Sequence, residues 1–407
     1  MNKKMTGILA SCVLALGVLA GCNSGDGNNG NGGTNANAGG NNGGGASAEV
    51  IKVGTNFEMT GGQASFGNSS MKGVKLAVKE INDAGGIDGK MIELVEADNA
   101  SKPEESTRVA QKLISNDNVV ALIGPVTSTN TLGAVPVAME KKIPLITTSA
   151  TNPKVTVDER TNKVNEWIFR ACFIDPFQGK VMADFSLNDL KAKTAAMYID
   201  TSSDYSKGLQ KFFQETFTAG GGTIVSDESY QQKDTDFKAV LTRMKEKSPD
   251  VIYVPGYYEE VGKIIKQARE MGITVPILGG DGWDSPQLVE IAGAEALKNT
   301  FMSNHYAADD KSDEIVSFID AFKKANADEV PDGLAALGYD SVKLLADAIK
   351  RAGSTDAEKL KEALAGTKDL KLATGVITLN ETHDPVKSAV VLEFVDGKQT
   401  FKTKVNP

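Results

Sequence analysis

The sequence predicts an α/β protein of two doubly wound parallel-sheet lobes, and three observations carry that reading. Short, β-rich apolar runs alternate with helical periods nearly throughout residues 49–407. The alternation starts afresh after Glu166 to Ile174, giving two similar halves between which the chain crosses. Two runs, Val119 to Ile123 and Ile143 to Ile146, lack polar alternation, as suits strands buried on both faces. Each stops at small hydroxyl residues, first Thr127, Ser128 and Thr129, then Thr147, Thr148, Ser149 and Thr151.

Lys3 and Lys4 precede an apolar run, Ile8 to Leu19, that is too short for a comfortable membrane span and has the form of an export signal. It ends in Leu19-Ala20-Gly21-Cys22, which resembles the lipobox of bacterial lipoproteins, where cleavage precedes the Cys and its sulfur receives a diacylglyceryl group. Residues 1–21 are therefore expected to be removed and Cys22 to hold the protein at the outer side of a cell membrane. Residues 23–48 are rich in Gly and Asn, with nothing apolar larger than Ala, and cannot bury a core. As a flexible coil they would span about 30 Å.

The ordered part opens with a strand, Ile51 to Asn56, a loop from Glu58 to Gly67, and a helix from about Ser70 to Ala84 closed by Gly85-Gly86. A half-buried strand, Ile92 to Ala97, and a helix, Glu104 to Asn116, lead into the first hydroxyl cluster, after which Thr129 to Lys142 reads as a helix. The second half alternates strands (Thr194 to Ile199, Ile224 to Asp227, Val251 to Val254, Val275 to Leu278, Phe301 to Asn304) with helices (Tyr205 to Ala219, Thr235 to Lys247, Glu260 to Met271). Helices over Ser312 to Ala327, Leu334 to Ala352 and Asp356 to Ala365 follow, then a strand pair, Ser388 to Asp396 and Lys398 to Lys404.

Composition narrows the function. A 41% hydrophobic content is ordinary for a folded soluble protein, and a net charge of −9 without a basic stripe argues against nucleic acid. Of three cysteines, Cys12 falls in the export signal and Cys22 in the lipobox, which leaves Cys172 without a partner and no zinc or disulfide framework. Cys172 lies in an apolar run and reads as a small buried residue. His305 and His383 stand in no metal spacing, no nucleophile elbow, dinucleotide or phosphate-loop motif is complete, and neither metal nor cofactor is expected. An enzyme is a distant third reading.

A binding reading uses groups that an enzyme reading leaves idle. In an open α/β sheet ligands bind beyond the carboxyl ends of strands, where a helix N-terminus offers free N–H groups to an anion. Ser and Thr are also ordinary N-caps and turn residues; two such clusters on neighbouring strand ends suggest a carboxylate-binding shelf. Asp281 follows a strand end in a turn with Gly279, Gly280 and Gly282, where backbone can approach a ligand and a carboxylate can receive an ammonium. Tyr205 and Tyr257 also lie just beyond apolar strands, where a loop Tyr can equally cover a core edge.

Ile51-Lys52-Val53-Gly54, the stretch Asn82 to Gly89, Ile123-Gly124-Pro125, Thr148 to Pro153 and Leu278 to Gly282 together resemble the leucine/isoleucine/valine-binding protein family of ABC importers. The resemblance implies a type I periplasmic binding protein with three crossovers in its hinge. Its lobes would be residues 49–172 with 304–387, and 173–303 with 388–407. Ser128 and Thr151 match carboxylate-binding hydroxyls, Ser149 a position whose backbone contacts the ligand, and Asp281 the acid that takes the α-ammonium. Tyr205 and Tyr257 match pocket tyrosines, Thr127 stands beside them, and Phe66, where many relatives carry Tyr, matches a loop aromatic; Trp283 is expected to narrow or wall the pocket. The implied function is capture of an α-amino acid, most of all a branched-chain one, by lobe closure, and its delivery by a monomeric lipoprotein to an ABC permease. The alternatives are a ligand-sensing lipoprotein of the same fold without a transport role, and a binder of a small amide or other compound.

Overall fold

The computed structural model describes residues 50–407; the export signal, Cys22 and the Gly/Asn linker lie outside the described residues. The first lobe is built from β1 (Ile51–Phe57), α1 (Ala64–Asp83), β2 (Ile92–Asp98), α2 (Pro103–Ser115), β3 (Ala121–Ile123), α3 (Ser128–Lys141), β4 (Leu145–Thr147), a hairpin of β5 (Val157–Asp158) and β6 (Lys163–Val164), and β7 (Ile168–Arg170). Its sheet runs β2-β1-β3-β4-β7, every pair parallel.

After a first crossover the chain forms α4 (Asp175–Asn188), β8 (Thr194–Asp200), α5 (Asp204–Ala219), β9 (Thr223–Tyr230), α6 (Lys238–Glu246), β10 (Val251–Tyr253), α7 (Tyr258–Glu270), β11 (Ile277–Gly279), α8 (Pro286–Ala292) and β12 (Thr300–Asn304). It then returns as α9 (Asp313–Ala325), α10 (Gly333–Ala352) and α11 (Ala357–Ala365), with α9 and α10 packed on α1, followed by a small antiparallel sheet of β13 (Leu370–Leu372), β14 (Gly375–Leu379) and β15 (Pro385–Val386). A third passage leads to β16 (Ala389–Val395) and β17 (Lys398–Val405), which extend the second sheet to the order β17-β16-β12-β11-β10-β8-β9. Only the β16 and β17 edge of that sheet is antiparallel. The architecture is the expected pair of doubly wound lobes joined by three crossovers.

The sequence reading missed or misplaced several elements, each for a local reason. Helix α1 begins at Ala64 rather than Ser70, because Asn68 Nδ2 donates to the carbonyls of Ala64 (2.7 Å) and Met59 (3.1 Å) and fastens the first turn onto the preceding loop. Phe66, expected on a loop, is therefore helical. Helix α4 had no amphipathic signal to find, since its buried face mixes Asp175, Gln178, Gly179 and Ser186 with Val181, Met182 and Phe185 while Phe177 and Leu187 stay half-buried on the other. The β5–β6 hairpin, α8 and the β13–β15 sheet are too short to announce themselves by periodicity.

Candidate functional site

The first hydroxyl cluster sits at the start of α3, whose N-cap Thr127 makes no side-chain capping bond. The opening N–H groups of a helix have no intrahelical partner, so this end can receive an anion. Its approach is fixed by Glu58, which lies just beyond β1 and which the sequence reading passed over as loop. The buried Glu58 carboxylate accepts from Val126 N (3.1 Å), Thr127 N (3.0 Å), Thr127 Oγ1 (2.8 Å) and Asn130 Nδ2 (2.9 Å). Thr127 is thereby committed to Glu58. Ser128 is freer: its Oγ accepts from Asn152 N (3.2 Å), which leaves its own proton available.

The second cluster, beyond β4, is held by Arg170 of β7. The buried guanidinium donates to the carbonyls of Ala150 (2.6 Å) and Asn152 (3.1 Å) and pairs through Nε with Asp384 at 2.7 Å. Thr147 turns inward, donating to Pro125 O at 2.6 Å and accepting from Ala150 N at 3.1 Å. The hydroxyls of Thr148 and Thr151 are buried without a hydrogen-bond partner among the described residues. Burial raises the nearby Asp175 carboxyl to about 8.

The opposite wall carries Asp281, in a short turn (Asp281–Trp283) after β11. Its Oδ1 accepts from Gln178 Nε2 (2.8 Å) and Tyr205 OH (2.9 Å), while its Oδ2 lies 2.9 Å from His305 Nε2 and accepts from Ser149 Oγ of the first lobe (3.2 Å). Burial pushes the Asp281 carboxyl up, but hydrogen bonds from His305, Gln178 and Tyr205 oppose it, and the group is held below the ordinary carboxylate range. Burial depresses His305, so Asp281 is an anion faced by a neutral imidazole.

The glycines of this turn serve a different purpose from the one expected. A Cβ on Gly279 would fall 2.0 Å from the Trp283 indole, and one on Gly280 would fall 2.5 Å from Tyr205 OH. They make room for protein side chains; only Gly282 lines the cavity. Trp283 is fully buried, its indole N–H donating to Val254 O at 3.0 Å, and neither it nor Thr151 lines the cavity.

Between the walls lies a small cavity, lined by Phe66, Val126, Thr127, Ser128, Ser149, Tyr205, Tyr257, Asp281, Gly282 and Leu334. Tyr205 and Tyr257 stack with ring centres 5.2 Å apart, and Phe66 meets Tyr257 edge-on at 5.5 Å from across the cleft. The structure thus gathers Phe66, Thr127, Ser128, Ser149, Tyr205, Tyr257 and Asp281 around one space and adds Val126 and Leu334, which carried no distinguishing signal in the sequence. Gln178 and His305 had none either. No Lys or Arg is among the lining residues, so the Asp281 anion faces the cavity without a countercharge, with Ser128 at the start of α3 on the other side.

A family model described as periplasmic binding protein matches residues 50–399. The Leu/Ile/Val-binding protein BraC3 of Rhizobium johnstonii is 33% identical over 336 residues, covering 82% of this chain and 88% of its own. Among solved structures, the branched-chain amino acid transporter substrate-binding protein LivJ of Streptococcus pneumoniae, in complex with isoleucine, is 41% identical with a TM-score of 0.82 over 88% of this chain and all (100%) of that one. The leucine-binding protein LivK of Thermotoga maritima is 37% identical with a TM-score of 0.83, over 88% and 99% of the two chains. The two-lobed fold, the interlobe cavity and these likenesses together place the chain in the leucine/isoleucine/valine-binding protein family of periplasmic binding proteins.

Proposed function

We propose that this chain is the extracytoplasmic substrate-binding lipoprotein of an ABC importer and that it captures a branched-chain α-amino acid between its lobes. The observation that carries the reading is the polarity of the cavity, with Ser128 at the N-terminus of α3 on one wall and the Asp281 anion on the other. The ligand carboxylate meets Ser128 and the backbone near Ser149, and its ammonium meets Asp281; Thr151, expected beside them, stands behind the cavity wall. Phe66, Val126, Leu334 and the Tyr205–Tyr257 stack offer an apolar surround for its side chain, in keeping with the isoleucine held by the pneumococcal relative.

Closure of residues 49–172 with 304–387 onto residues 173–303 with 388–407 is the capture step. A ligand holding both walls favours the closed form because half of its contacts exist only there. Contacts that bridge the cleft support this: Tyr258 OH donates to Gly62 O (3.1 Å), Asn152 Nδ2 to Asp204 O (2.7 Å), and the hydroxyls of Ser65 and Ser285 lie 2.7 Å apart. Cys22 carries the lipid, the linker gives reach, and the closed monomer docks on the permease. Isothermal titration of protein refolded to remove carried-over ligand, against a panel of amino acids, tests the reading. Tight binding of leucine, isoleucine or valine is expected; binding of no α-amino acid would overturn it.

A further inference from the structure

Three of the four groups on the Asp281 carboxylate do not depend on closure. Gln178 stands on α4, Tyr205 on α5, and His305 directly after β12 at the second crossover; only Ser149 reaches over from the first lobe. His305 is fully buried, and its ring stacks on Phe173 of the first crossover, with ring centres 3.8 Å apart and planes 23° from parallel. Its Nε2 faces Asp281 Oδ2, and its Nδ1 has no hydrogen-bond partner among the described residues. A neutral imidazole keeps its proton on the nitrogen that has an acceptor, so the proton belongs on Nε2.

We propose that His305 is a positioning residue for ligand binding, whose Nε2–H orients the Asp281 carboxylate into the cleft and supplies a donor that offsets its burial. The inference rests on the reading of Asp281 as the ammonium contact. Other ionisable groups act on this pair. The Asp175 and Asp284 carboxyls and the Tyr253 and Tyr257 phenols feel the Asp281 charge, and Lys387, on the third crossover, lowers His305 further. None of these takes the place of His305 on Oδ2. Stacked on one crossover and standing on another, the ring ties the ammonium site to the hinge.

The test is titration of wild type, His305→Leu and His305→Gln with L-isoleucine across pH. Loss of one bond to a charged group predicts that His305→Leu binds about tenfold more weakly at alkaline pH. At about pH 5.5 the gap should widen to about 100-fold, because Asp281 without its donor takes up a proton that the wild type refuses. Glutamine offers an N–H at similar reach and should recover binding to within about fivefold of wild type at both pH values. A gap that stays constant with pH, or equal losses in both variants, would show a packing role only and overturn the proposal. If wild type binds no α-amino acid, the ammonium reading fails separately, and the proposal is then read from the 13C shift of the Asp281 carboxyl in ligand-free protein. A raised titration midpoint in His305→Leu but not in His305→Gln supports it; an unmoved midpoint in both overturns it. Should His305→Leu not fold, the 15N shifts of His305 in wild type decide, with the Nε2–H tautomer supporting the proposal and the Nδ1–H tautomer overturning it.

Discussion

Asp281 and Asp175 are both fully buried carboxyls of the interlobe region, yet they are opposite in character. Asp281 is met by four neighbouring polar groups and is held below the ordinary carboxylate range. Neither oxygen of Asp175 has a hydrogen-bond partner among the described residues, and burial pushes it to about 8. The Asp175 carboxyl is also crowded, since a Cβ on Gly208 of α5 would come within 2.0 Å of its Oδ2. Burial is common to both, so the donor set decides which acid remains an anion. Asp281 stays an anion, as the proposed ammonium contact requires; Asp175 is kept neutral, a wedge between the second hydroxyl cluster and α5.

The comparison is broken most severely by removing the anion. Asp281→Ala is expected to weaken isoleucine binding by at least about 100-fold, about 3 kcal/mol, as for loss of one partner of a buried charge pair. Titration calorimetry measures this, with circular dichroism to check that the fold persists; retained affinity would remove the ammonium assignment. Removing one donor should do less. Tyr205→Phe deletes the bond to Asp281 Oδ1 and the one accepted from Gly282 N, and about tenfold weaker binding is expected in the same titration.

The smallest effect belongs to Asp175 and falls on stability rather than binding. Its native pKa lies above the ordinary carboxylate value, so the folded state binds the extra proton. Stability contributed by this group should therefore fall as pH rises from about 4 to about 8 and level off above. Asp175→Asn keeps the neutral shape and lacks that fall. In thermal scans the variant should unfold at least about 2 °C above wild type at alkaline pH and close to it near pH 4. A difference that does not vary with pH would show that Asp175 is ionised in the native state.

Both walls of the cleft were legible before any tertiary structure. Unalternated apolar runs mark parallel strands, and in a parallel sheet strand ends gather on one edge, so Ser128 and Ser149 could be placed together on one sheet and Asp281 at a strand end of the other, while the family resemblance set the two edges on a common cleft. Phe66, Tyr205 and Tyr257 followed from their positions beside strand ends and from the family resemblance. What the sequence could not indicate is how each group is held. Glu58 and Arg170 fix the two hydroxyl loops through partners 68 to 72 and 14 to 20 residues away, and His305 reaches Asp281 from 24 residues further on. Leu334 enters from a helix that returns to the first lobe only after the chain has built most of the second. The glycines near Asp281 were rightly read as marking close approach, but Trp283 and Tyr205 are what approach two of them. Periodicity is a property of neighbours along the chain and so determined the layers, the strand ends and the hydroxyl clusters. Hydrogen-bond partnership depends on distance in space, and only the packed lobes decided which acid is an anion, which is neutral, and which side chains line the cavity.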